Sequence, residues 1–347
     1  MLKQLNTYFK FDRWWIPKIA PGVFTYFLFS YLNSNGTTIS FNQSTILLFF
    51  LLFTLAVFGH FVNDYSDYEY DVKADKINIF RKIKLKYAIP TLILLTIVSA
   101  VFAFLINWNV LGLVIIQISF NVFYSLQPFR LKERGWWAML ITGFYERVIP
   151  YLIIIFSIIT EWNNTLAVFM LIYLLWAYLW ECRNFINGQL SDSEDDKKLH
   201  LQTLAVVKNI TIIQGIKNKL IIIEFIFLLF WSTFLIYTNI LFSFVIIAFL
   251  TPIIHQFIQR NTTIFKTKES YIDFVYLYTL LPIFILGLIY FDKLHWSFGI
   301  IIVAFRSNYL FPTIQTIFTR LYYFLKGITS KIVNYSIYYI RMVFKKK

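Results

Sequence analysis

Long apolar runs separated by short polar links recur along the chain, and most are long enough for a helix rising 1.5 Å per residue to cross a hydrocarbon core about 30 Å thick. The pattern predicts spans at 19–34, 44–63, 87–106, 108–126, 137–159, 165–188, 218–238, 239–257 and 271–290. A further run at 295–312 makes a tenth, although it encloses Arg306, a costly residue in lipid. The fold class expected is therefore all-α: a polytopic transmembrane helix bundle of nine core spans plus a tenth, with loops capping one end. Residues 1–18 mix Lys3, Lys10, Arg13 and Lys18 with Trp14 and Trp15, which suits an interfacial segment better than a cleavable signal. The bundle then occupies 19–312, and 313–347 reads as a basic, amphipathic surface tail.

Composition agrees with a lipid bilayer as the surroundings: 59% of the 347 residues are hydrophobic and only 14% charged, with a mean hydropathy of +0.64. The net charge of +14 would suit nucleic acid, but the basic residues gather in alternate loops and the tail, where topology accounts for them. No nucleic-acid partner is expected. Lys73, Lys76, Arg81, Lys82, Lys84, Lys86, Arg130, Lys132, Arg134, Lys197, Lys198, Lys208 and Lys217 fall on one side, and Lys293 alone falls clearly on the other. The positive-inside rule puts that basic side, and the N-terminus, in the cytoplasm, which in a bacterium means the inner membrane. Cys182 is the single cysteine, so neither an intrachain disulfide nor a cysteine-built zinc site can form.

Acids are scarce, which makes their placement informative. Asn63, Asp67, Asp71 and Asp75 follow one another at four-residue steps after the second run, with Asp64 beside them. On a helix that step puts them on one face, where like charges repel, so a divalent counterion is an economical explanation and a solvated acidic loop the competing one. Asn184, Gly188, Asp192 and Asp196 repeat the step after the sixth run, on the same side. All-oxygen donors without cysteine or paired histidine favour magnesium, which binds through carboxylates together with substrate phosphates. Between the ladders, the loop after the fourth span carries Arg130, Lys132 and Arg134. Any one of them satisfies the positive-inside rule; beside two acidic ladders they are also the cations a diphosphate requires.

These motifs resemble those of the UbiA superfamily of intramembrane prenyltransferases. Asn63-Asp64-x-x-Asp67-x-x-x-Asp71 is similar to its first aspartate-rich motif, Asp192-x-x-x-Asp196 occupies the place of the second, and Tyr124-Ser125 through Lys132 is similar to its conserved basic loop. The resemblance covers roughly residues 13 to 290. Gln127 stands where the loop usually has its first proline, and Asn78-Ile79-Phe80-Arg81-Lys82 stands where many members have an Arg-Thr-x-x-Arg-Pro segment. The resemblance implies a prenyl diphosphate donor held on Mg2+ by Asp64, Asp67, Asp71, Asp192 and Asp196. Asn63, Arg81, Tyr124, Arg130, Lys132, Arg183, Asn184 and Gln189 would bind the diphosphate. Arg130 and Lys132 would neutralise the leaving group, and the allylic cation would pass to an unidentified acceptor: an aromatic ring, a tetrapyrrole or an alcohol.

Glu146 and Arg147 interrupt the fifth span and are expected to face the bundle interior. Glu146 either binds or deprotonates the acceptor or serves as a structural partner of Arg183 or Arg306. His60, one turn before Asp64, reads as a packed histidine close to the site. Two rival functions remain: a terpene cyclase of the same architecture, and a carrier whose ladders bind transported cations. A carrier would place its acids near the bilayer midplane, whereas both ladders sit at one mouth.

Overall fold

The computed structural model describes residues 11–34, 39, 41–81, 83–198, 203–238, 288–289 and 292–297. Among these the architecture is all-helical: α1 (Phe11–Asn33), α2 (Gln43–Ser66), α3 (Tyr68–Lys73), α4 (Ala88–Ile106), α5 (Trp108–Ser125), α6 (Trp136–Gly143), α7 (Ile149–Ile158), α8 (Asn164–Lys198), α9 (Leu204–Val207) and α10 (Ile210–Thr238). A π-helical turn, Phe144–Val148, joins α6 to α7 into one membrane-length rod. Six helices of the described residues have the length and apolar character to cross a bilayer, marking an integral membrane protein. The spans expected at 239–257, 271–290 and 295–312, and the tail, lie outside the described residues apart from 288–289 and 292–297.

Asparagines start three of these helices. Asn42 caps α2 by accepting from the Thr45 amide at 3.0 Å, and Asn107 caps α5 by accepting from the Val110 amide at 2.8 Å. Asn163 does the same for α8 through the Leu166 amide at 2.8 Å. Asn107 also donates to the Phe156 carbonyl at 2.9 Å, tying the start of α5 to the end of α7.

The core lies where α1, α2, α7, α8 and α10 meet, filled by Phe24, Leu28, Phe29, Leu51, Ile154, Tyr173, Trp176, Trp180 and Trp231. Trp176 stacks on Trp180 with ring centroids 5.5 Å apart and meets Trp231 at 5.4 Å. In lipid, apolar contact alone gives little drive for helix association, so close packing and interhelical hydrogen bonds carry weight. Ser99 of α4 donates to Thr54 of α2 at 2.9 Å, and Thr25 of α1 pairs with Tyr173 of α8 at 2.8 Å. α4 packs beside α2 and α5 and turns Ile93, Leu94, Ile97, Val101 and Phe104 outward, as a lipid-facing helix should.

Three boundaries differ from the hydropathy reading. α1 starts at Phe11, so the interfacial segment and the first span share one helix. α8 continues ten residues past the expected end, to Lys198, with no proline and no second glycine after Gly188 to stop it. α10 starts at Ile210 rather than 218, since Lys217 is buried inside it.

Candidate functional site

The first ladder begins as helix and then bends. The Asp67 amide donates to the Asn63 carbonyl at 3.0 Å and the Asp71 amide to that of Asp67 at 2.8 Å, so these three positions keep the four-residue helical step. Asp67 itself, at φ −101° and ψ 5°, is the joint between α2 and α3. Asp75 departs from the expected common face: it adopts φ 49°, is 91% exposed and bonds Arg81 at 2.9 Å. Arg81, expected at the diphosphate, spends its guanidinium on Asp75 and the Lys76 carbonyl.

The basic loop returns over the end of α2. Lys132 Nζ donates to Asp67 Oδ1 at 2.5 Å, to Ser66 Oγ at 2.8 Å and to Asn63 Oδ1 at 3.5 Å. Arg130 donates through Nη2 to the same Asp67 oxygen at 3.0 Å, through Nη1 to the Ser66 carbonyl at 3.0 Å and through Nε to Glu133 at 2.6 Å. Its guanidinium also lies 5.1 Å from the centre of the Tyr70 ring. Arg130 sits in the left-handed region at φ 35° and ψ 56°, uncommon for a long side chain and a form of strain that clusters at functional sites. Burial pushes the Lys132 ammonium below its ordinary value, and Asp67 restores only part of that. For Arg130 burial also opposes the charge, but the Glu133 hydrogen bond and Asp67 outweigh it and hold the group above its ordinary value. Of the residues that the sequence singled out, the fold brings Asp67, Arg130 and Lys132 together; Ser66, Glu133 and Tyr70, whose types carry no motif, join them.

The other two acids of the ladder are held by the segment after α3. The Ile79 amide donates to Asp64 Oδ2 at 2.9 Å, and Asn78 Nδ2 donates to Asp71 Oδ2 at 2.8 Å. His60 Nε2 lies 3.7 Å from Asp64 Oδ2, both side chains being buried, so the packed histidine does adjoin the ladder.

The second ladder runs along the last turns of α8. Asp196 is buried and accepts from Thr203 Oγ1 at 2.9 Å; Asp192 is exposed beside Ser191. Among the described residues Gln189 Oε1 is buried with no hydrogen-bond partner, and Asn184 is half-buried. Arg183 is fully buried and grips Glu224 of α10 at 2.6 and 3.2 Å. Among the described residues no three His, Cys, Asp or Glu side chains converge into a ready-made metal cage. The donors are nonetheless carboxylate oxygens, held in the first ladder by protein N–H groups and in the second by the Thr203 and Ser191 hydroxyls, which suits a cation such as magnesium that takes one or two carboxylates and completes its shell with phosphate and water.

The π turn carries the intramembrane charges. Glu146 forms an ion pair with Lys18 of α1, not with Arg183, whose carboxylate partner is Glu224; Arg306 lies outside the described residues. Arg147 bonds Glu181 of α8 at 2.6 Å and stacks 4.2 Å over Trp180. The Gln117 amide donates to the Tyr145 carbonyl at 2.7 Å, supporting a turn whose i→i+5 pattern displaces the ordinary helical bonds. Tyr124, at the end of α5, packs against Tyr145 with centroids 4.9 Å apart. Glu181 and Glu224 went unread in the sequence, although single acids inside apolar runs are themselves a signal.

The profile of the UbiA prenyltransferase family matches residues 23–270. Among solved structures, the fold is similar to that of a digeranylgeranylglyceryl phosphate synthase, at 20% sequence identity and a TM-score of 0.56, over 82% of this chain and 98% of that one. It is also similar to a UbiA homologue from Archaeoglobus fulgidus bound to GPP and Mg2+, at 16% identity and a TM-score of 0.52, over 76% of this chain and 96% of that one. No curated protein matches the sequence at a significant level.

Proposed function

Because the chain belongs to the UbiA prenyltransferase family, we propose that it transfers an isoprenyl group from a prenyl diphosphate to an acceptor inside the membrane, with Mg2+, by ionisation of the allylic diphosphate. The observation that carries this reading is the single Asp67 oxygen shared by Lys132 and Arg130 at 2.5 and 3.0 Å. Two cations on one carboxylate are compensated while substrate is absent, yet already stand where a more highly charged anion would recruit them. The A. fulgidus homologue's GPP and Mg2+ support the same ligands here.

Asp64, Asp67 and Asp71 of the first ladder and Asp192 and Asp196 of the second would hold the metal. Bound magnesium supplies positive charge that stabilises the departing diphosphate. Arg130 and Lys132 act on the same developing charge through N–H donors that the fold has already placed, so little reorganisation accompanies C–O cleavage. Asn63, already within reach of Lys132, belongs beside them, and Asn184, Gln189 and Tyr124 would add polar contacts to the diphosphate. Arg81 and Arg183, with their carboxylate partners, take structural roles instead. Glu146, with a side chain 11% exposed and paired to Lys18, is the group this reading assigns to the acceptor's proton. The basic loops orient this mouth toward the cytoplasm.

The test is to incubate purified protein and Mg2+ with geranyl, farnesyl and geranylgeranyl diphosphates, with and without a membrane extract, and to identify products by mass. A prenylated product that appears only with the extract is expected. A cyclised hydrocarbon formed without extract would replace the transferase reading with that of a cyclase.

A further inference from the structure

We infer that Asn78 is a positioning residue that aims the first ladder's carboxylates at the divalent cation of the substrate complex; the inference rests on the function proposed above. Asn78 is not among the residues expected at the metal or the diphosphate; it stands in the Lys76-Ile77-Asn78-Ile79 stretch that follows α3, yet it is only 2% exposed. Its Nδ2 donates both to the Asp64 carbonyl at 2.7 Å and to Asp71 Oδ2 at 2.8 Å, while its Oδ1 accepts from the Phe80 amide at 2.9 Å. With donors facing acceptors and the acceptor facing an N–H, the orientation of the carboxamide is fixed by its partners.

This one side chain ties three things together. The Asp64 carbonyl belongs to the last turn of α2, where helix carbonyls lack intrahelical donors and need another. Asp71 sits past the joint at Asp67, on the short helix α3, and the Asn78 bond fixes its Oδ2 relative to the end of α2. The Phe80 bond makes the loop double back, which brings the Ile79 amide onto Asp64 Oδ2 at 2.9 Å. Phe80 anchors that loop edge-to-face on Phe61, centroids 5.6 Å apart, and on Tyr65 at 6.2 Å. The apolar anchor and the amide tie are therefore separate parts of the same device. Hydrogen-bond partners that orient metal-binding carboxylates change metal affinity or activity by about 10–100-fold when removed.

The test compares Asn78→Ala with Phe80→Ala, in detergent-solubilised full chain, by Mg2+ titration of diphosphate release from geranylgeranyl diphosphate and by Mn2+ binding read from its electron paramagnetic resonance signal. Asn78→Ala is expected to raise the half-saturating concentration of both ions about tenfold or more. Phe80→Ala is expected to lower the unfolding temperature but leave half-saturation near the wild-type value. Asn78→Ser, which shortens the side chain out of reach of Asp71, carries the same expectation where the alanine variant does not fold. Unchanged half-saturation in the Asn78 variants, or equal shifts in the Asn78 and Phe80 variants, would overturn the positioning role and leave the proposed function standing. Wild-type release that needs no divalent ion would remove both.

Discussion

The Arg183–Glu224 pair joins α8 to α10 with side chains 0% and 1% exposed. Truncating Glu224 to alanine leaves a guanidinium charge in a low-dielectric interior without its bidentate partner, a change that costs about 3–5 kcal/mol. Arg183→Ala costs a similar amount by taking both guanidinium bonds from the buried carboxylate. Replacing both at once, Arg183→Met with Glu224→Leu, removes the charges together, and swaps of that kind range from neutral to about 1–4 kcal/mol stabilising. The double variant should thus be at least about 3 kcal/mol more stable than either alanine variant. Equilibrium unfolding in mixed micelles of rising SDS fraction measures this, and a cycle of the four proteins isolates the coupling. Turnover supplies a second reading: a bundle anchor can be exchanged for apolar residues with activity kept, whereas a diphosphate ligand cannot. A Glu224→Ala variant as stable as wild type would refute the energetic reasoning. A stable but inactive double variant would return Arg183 to the diphosphate.

Other outcomes follow from the same geometry. Lys132 must be cationic to meet the diphosphate, and burial lowers its pKa, so kcat/KM should fall on the alkaline side beginning below the ordinary lysine value of 10.5. In Lys132→Arg that limb should move out of the measured range, and an unchanged limb would assign it to another group. A methyl at Gly143 would lie 2.5 Å from Tyr178 Cε2 and 3.0 Å from Cys182 Sγ, so Gly143→Ala should separate α6 from α8 and cost about 1–3 kcal/mol in thermal unfolding. Wild-type melting would show that the ring simply yields. Cys182 is buried and should not compete for a maleimide, so Lys73→Cys and Glu161→Cys, both at exposed positions, should label from opposite sides of the membrane, Lys73→Cys from the cytoplasm. Labelling from one side would contradict the span order.

Hydropathy located the six membrane-length helices to within a few residues at most ends, because burial in lipid demands continuous apolar runs. The Asp67–Arg130–Lys132 cluster was also legible, since a scarcity of acids made their spacing conspicuous and the basic loop lay on the same side. Pairing was not legible. Nothing local tells Glu146 to choose Lys18 on α1 over Arg183, or Arg183 to choose Glu224, because such choices follow from how helices far apart in sequence are set side by side. Asp75 shows the opposite limit: its four-residue step was real, but a left-handed backbone at φ 49° ended the helix before the step could place it on the ladder's face. Asn78 opens the segment that departs from the family's pattern, but nothing marked its side chain, since a single asparagine in a polar link is indistinguishable from a turn residue.

The central claim is that the Asp67 centre ionises a prenyl diphosphate with the help of a divalent cation. It is tested most directly by following diphosphate released from geranylgeranyl diphosphate by purified protein, with Mg2+ or with EDTA, in wild type, Asp67→Ala and Asp192→Ala. Release that requires Mg2+ and is abolished in both variants is the predicted result; full release in either variant, or release unaffected by EDTA, would contradict the account.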